Sequence, residues 1–165
     1  MKNVFFLLIA FLASSLSCAA ETGLVDERAR SSAITLYDTY FTSCRCFLVA
    51  GTDSTGTDAY FLALTFEDEP FELVNELVIG LKGGDKVSMP IAHSPRRADV
   101  RYRRLKNANI KYVTLYFSIS SEQLVKIMEE DTRYLLLKTN VSESKINIRN
   151  VKNAFSEIYK QLTIN

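Results

Sequence analysis

The sequence predicts a mainly β (α+β) fold: a single antiparallel β-sandwich-like domain with one short helix and an amphipathic C-terminal helix. Three observations point there. β-Branched and aromatic residues dominate from Ile34 onward and alternate with period two. Clusters of Gly, Asp, Ser and Thr interrupt them at short intervals. Two stretches switch to a helical period, one near residue 124 and one at the C-terminal end. The composition is that of a globular chain, with 165 residues of which 47% are hydrophobic and 24% charged, so disorder, collagen and coiled coil are excluded.

Residues 1–20 read as an export signal: Lys2 supplies a positive start, Val4 to Leu12 is an apolar run, and Ser14 to Ala20 is small and weakly polar. The run is short of the roughly 20 residues that span a bilayer. Two endings are open. Cleavage after Ala20 would release a soluble chain starting at Glu21. Alternatively, Leu16-Ser17-Cys18 resembles a bacterial lipoprotein box, with Cys18 lipidated, although Ser15 occupies the usual aliphatic position. The expected location is periplasmic or outer-membrane-anchored in a bacterium and otherwise secreted, with the membrane reached only through a lipid on Cys18. Residues 21–32 carry Glu21, Asp26, Glu27, Arg28 and Arg30 without apolar periodicity and read as a flexible leader or tether. Residues 33–165 are then the folded domain.

Within that domain Ile34 to Val49 is the first strand-like stretch, closed by the turn cluster Gly51 to Gly56. Tyr60, Leu62, Leu64 and Phe66 alternate while Ala59, Phe61 and Ala63 fill the other face, which predicts a central strand. Leu77, Ile79 and Leu81 form the next strand, and Gly83-Gly84 turns it into Lys86 to Ala92 as a hairpin. Val113, Leu115, Phe117 and Ile119 form one face of a further strand. Ser120 and Gln123 fit a capping box for a short helix carrying Leu124, Ile127 and Met128. Tyr134 to Lys138 and Ile146 to Ile148 are strand-like. Asn150 can cap a last helix whose Val151, Ala154, Phe155, Ile158, Tyr159 and Leu162 share a face.

The order from Leu77 onward, together with Tyr116 to Ile119, Ser121-Glu122, Leu124, Phe155 and Tyr159, resembles small exported bacterial β-sandwich proteins, many of them lipoproteins and largely uncharacterised in function. The resemblance spans roughly residues 60–162. It implies a sandwich fold and an envelope location, and it supplies no catalytic residue.

The chemistry can be bounded by inventory. Residues 1–20 hold one of the 20 basic side chains and none of the 19 acidic ones, so the remainder is neutral and general attraction to nucleic acid is not expected. Hydrolase triads need an imidazole base, and His93 is the one histidine, set between Pro90 and Pro95 on what reads as a rigid exposed loop. No catalytic residue and no cofactor are assigned.

Cys44 and Cys46 face one side of a strand, with Arg45 and Phe47 on the other. They could be buried thiols, a strained disulfide, or, with His93, soft-metal ligands. Their Cα atoms would lie about 6.6 Å apart on an extended strand, so a bridge requires a bend.

The densest charge lies in residues 96–111, where Arg96, Arg97, Arg101, Arg103, Arg104, Lys106 and Lys111 face only Asp99. If Asp99 to Leu105 is extended, Arg101 and Arg103 share a side with Asp99 while Arg104 joins Tyr102 on the other. Arginine forks suit phosphate, sulfate or carboxylate. The bland alternative is a solvated hairpin balanced by Glu67, Asp68, Glu69, Glu72 and Glu76. The expected function is noncatalytic envelope work, binding or structural, with an anionic ligand or an acidic envelope protein as partner. The rival is a metal-binding or thiol-redox protein using Cys44 and Cys46.

Overall fold

A computed structural model describes residues 24–37, 43–67, 73–93, 100–105, 108–148 and 154–163. The export segment, Cys18 and the Asn150 cap lie outside the described residues. Ten strands and two helices form within them: β1 (Asp26–Arg30), β2 (Ile34–Tyr37), β3 (Ser43–Thr52), β4 (Asp58–Glu67), β5 (Glu76–Leu81), β6 (Lys86–Pro90), β7 (Val100–Leu105), β8 (Ala108–Ile119), α1 (Ser121–Glu129), β9 (Thr132–Lys138), β10 (Glu143–Asn147) and α2 (Ala154–Thr163).

The strands make two antiparallel sheets. One runs β1-β3-β4-β8-β7, with β2 also paired to β3, and the other runs β10-β9-β5-β6. β4 is central, as its two apolar faces require. The turn after β3 is built on Asp53, whose Oδ1 accepts from Thr55 N and Thr57 N, with Gly56 at φ 79°. The β5–β6 hairpin uses Gly84 at φ 100°, a conformation in which a Cβ would be strained.

The core lies between the sheets. Cys44, Cys46 and Leu48 of β3, Leu62, Leu64 and Phe66 of β4, and Leu115 and Phe117 of β8 meet Leu77, Ile79, Met89, Leu135 and Leu137 of the smaller sheet. Each leucine, isoleucine, phenylalanine or methionine among them contributes about 1.5–3 kcal/mol by leaving water. α1 adds Leu124 and Ile127, and α2 adds Phe155 and Ile158, to this one cluster. The capping box forms: Gln123 N donates to Ser120 Oγ at 3.2 Å and Ser120 N donates to Gln123 Oε1 at 2.9 Å. The sheets are also joined directly, since Ile91 bridges Phe117 and Ala92 N donates to Tyr116 O at 2.7 Å.

Two sequence expectations change. The stretch Ile34 to Val49 divides into β2 and part of β3, which pair antiparallel with Ile34 opposite Cys46 and Leu36 opposite Cys44. Residues 26–30 of the expected tether are strand β1, paired along β3 from Asp26 opposite Thr52 to Arg30 opposite Val49. An edge strand needs little apolar content, because its outer side meets solvent, so a charged segment can form one. Ser31 secures the junction: its N donates to Leu48 O at 2.9 Å, and its Oγ accepts from Leu48 N at 3.0 Å.

Candidate functional site: an arginine-walled groove

The larger sheet has a second face, turned away from the main core. Strand parity places there Arg45 and Phe47 of β3, Ala63 and Thr65 of β4, Tyr112, Thr114 and Tyr116 of β8, and Arg101 and Arg103 of β7. The register aligns them in rows: Arg45, Thr65 and Thr114; Phe47, Ala63 and Tyr116; then Arg101 beside Tyr112. Threonine and alanine are short, so the middle of the face is low and the flanking arginines stand above it. The result is a groove of about 350 Å³. Thr65 and Thr114 share a hydrogen bond across its floor, with their hydroxyl oxygens 2.9 Å apart.

One end is closed by Phe47 and Tyr116, packed edge to face with centroids 6.5 Å apart, and by Arg30. In an unbroken strand Glu27 and Arg30 would face opposite ways. A bulge between Glu27 and Ala29 shifts the register and brings both to the groove side. Arg30 then donates Nε and Nη2 to the Glu27 carboxylate at 2.7 and 2.6 Å and lies 4.5 Å over the Phe47 ring. Hydrogen bonding to Glu27 holds its pKa above the ordinary arginine value despite partial burial.

Arg45, Arg101 and Arg103 differ from Arg30. All three are exposed, and no carboxylate among the described residues is paired with them. Glu67 is in the row of Tyr112 and Arg101, two strands from the latter, but does not line the groove. Of the acidic residues expected to balance the basic run, Glu76 instead binds Lys138 at 2.9 Å on the smaller sheet, and residues 68–72 lie outside the described residues.

The sequence thus placed Arg101 and Arg103 correctly on one side, with Arg104 and Tyr102 on the other, Tyr102 being 71% exposed. Arg104 does not line the groove. Arg96 and Arg97 lie outside the described residues. Sequence reasoning missed Arg30, one of a mixed-charge segment, and Arg45, a charge flanked by cysteines, both more than 50 positions from the basic run. The available signal was parity: Arg45 faces away from Cys44 and Cys46, into the same layer as Thr65.

The other candidates separate. His93 is buried rather than exposed, its ring packed on Tyr116 with centroids 5.4 Å apart, because the chain after β6 is drawn against β8. Cys44 and Cys46 are free thiols at 3% and 0% exposure in the main core. The sheet therefore lies between the imidazole and the sulfurs, and the Cys44, Cys46 and His93 metal set is not assembled. Of the remaining alternatives the thiols are free and buried rather than bridged, Cys44 and Cys46 belonging to a regular stretch of β3 paired residue by residue with β2 and, from Arg45 onward, with β4. Burial pushes the Cys44 thiol up to about 12 and raises Cys46 as well, with Cys44 adding to the effect. Among the described residues no group of three or more His, Cys, Asp or Glu could hold a metal ion.

No family model, curated protein or solved structure matches the chain. The fold defines the protein as mainly β, two antiparallel sheets with two helices sharing their core.

Proposed function

We propose that this protein is an exported, noncatalytic binding protein that takes a small anionic ligand into the groove between Arg45 and the Arg101–Arg103 edge. The observation that carries this reading is the convergence, on one hollow whose floor offers hydroxyls, of three guanidinium groups that have no carboxylate partner among the described residues. Guanidinium forks in that arrangement can chelate carboxylate, phosphate or sulfate oxygens. A volume of about 350 Å³ falls at the small end of ligand sites. The thiols weigh against the metal or redox rival, because such chemistry uses accessible, depressed-pKa cysteines. Export rests on the character of residues 1–20, and the chemistry of the groove does not depend on it.

Isothermal titration with inorganic phosphate, sulfate and citrate tests the proposal. Saturable binding that weakens in high salt is expected, with a loss of about tenfold or more in Arg101→Ala/Arg103→Ala, since a hydrogen bond to a charged group contributes about 1.5–3 kcal/mol. Arg104→Ala should bind as the parent does. Absence of binding, or equal loss in Arg104→Ala, would overturn the assignment. N-terminal mass analysis of the cell-derived protein, showing Glu21 or a lipidated Cys18, tests the export half.

A further inference from the structure

Resting on that reading, we propose that the ligand is a small organic dianion whose two anionic groups, at opposite ends, engage the two walls of the groove. The walls belong to different strands. Arg45 is on β3, Arg101 and Arg103 are on β7, and β4 and β8 lie between them. Three strand spacings of about 4.8 Å set the wall strands roughly 14 Å apart, and the register carries Arg101 and Arg103 a further two and four residues along the sheet from the row of Arg45, roughly 7 and 13 Å. An arginine arm reaches roughly half of that strand separation. A single oxyanion chelated by one wall therefore leaves the opposite fork without a partner, or requires two like charges to crowd together.

The volume argues the same way. About 350 Å³ is an order of magnitude more than the roughly 30 Å³ share of one water in the liquid, so a lone oxyanion would leave most of the groove to solvent. Charge agrees as well. Glu27 already neutralises Arg30, which leaves Arg45, Arg101 and Arg103, so a monoanion would balance one of the three charges and a dianion two. Beneath the centre lie the Thr65 and Thr114 hydroxyls and Tyr112, which suit a body carrying polar groups. Phe47, Tyr116 and the fixed Arg30 close one end, which favours a short molecule over a polymer passing through. The terminal groups can be carboxylates or phosphate-like, since arginine recognises both.

The experiment compares α,ω-dicarboxylates from succinate to suberate with monocarboxylates of equal length, and repeats the comparison with α,ω-alkane bisphosphonates and monophosphonates. At low salt the best dianion is expected to bind at least about tenfold more tightly than its monoanion, with an optimum chain length. Either series showing this supports the proposal, and the tighter series identifies the terminal group. Arg45→Gln should collapse the dianion-to-monoanion ratio toward one, and because Arg45 is exposed the substitution does not threaten the fold. Equal affinities for dianion and monoanion, still lost in Arg101→Ala/Arg103→Ala, would overturn the dianion while leaving the anion site standing. No binding of any probe would overturn both.

Discussion

Alkaline solution should loosen this protein through a thiol. Cys44 is buried in the main core, and burial alone pushes its pKa from 9.0 to about 12. Below pH 9 the thiol is protonated whether the chain is folded or not, so its contribution to stability is fully present. Above pH 9 the unfolded chain releases this proton and the folded one holds it, so stability falls with each unit until the folded thiol ionises near 12. At about 1.4 kcal/mol per unit, the three-unit difference comes to about 4 kcal/mol between pH 9 and 12. Cys46, shifted in the same direction, adds to the loss. Domains of this kind have about 5–15 kcal/mol in total, so the effect is a large share.

Urea unfolding midpoints at pH 8, 9, 10 and 11 for the parent and Cys44→Ala measure it. Tyrosines and lysines also titrate there, but they are common to both chains, so the difference in slope reports Cys44 together with what Cys44 adds to Cys46. By pH 11 the parent should have lost about 3 kcal/mol more than the variant. Parallel pH profiles would refute the reasoning, and so would a denatured parent without the free thiols of Cys44 and Cys46, because a bridge cannot titrate.

Other expectations are structural. Gly51→Ala places a methyl on the Asp26 carbonyl oxygen and the Leu24 side chain, so β1 must shift; a loss of about 2 kcal/mol and faster amide exchange in residues 24–30 are expected. Ser120→Ala removes the capping box of α1 and should cost about 1 kcal/mol by denaturant titration. Phe117→Ala, at a fully buried position between the sheets, should cost about 3–5 kcal/mol in the same assay.

Local signals made most of the fold legible. Tyr60 to Phe66, apolar on both faces, announced a central strand; Gly83-Gly84 announced a hairpin; Ser120 with Gln123 announced the start of α1. Each is a property of a few adjacent residues. β1 was hidden because its edge position demands backbone pairing and tolerates Asp26, Glu27, Arg28 and Arg30 as side chains. His93 was misplaced because two flanking prolines indicate a rigid loop but not what the loop rests on, and Tyr116 comes from a strand more than 20 residues later. The groove was half legible for the same reason: Arg101 and Arg103 are neighbours in a conspicuous run, whereas Arg45 and Arg30 join them only through the register of several strands and one bulge.

On β3, fold and proposed function occupy opposite faces of one strand, and their energetics differ accordingly. Cys44, Cys46 and Leu48 are withdrawn from water, where a small change in volume or charge is felt by the whole domain. Arg45 is hydrated. Two guanidinium groups about 10 Å apart in water repel by only about 0.4 kcal/mol, so bare arginines on the groove cost the empty protein little. Their charge is therefore not needed for stability, and the same weak repulsion leaves them available to a ligand. The separation can be read directly by replacing neighbours: Arg45→Gln should alter anion binding and leave the urea midpoint in place, whereas Cys44→Ala should move the midpoint and its pH profile and leave binding in place. Should both substitutions move both quantities, the sheet does not insulate its two faces, and a groove supported independently of the core would be the wrong description of this molecule.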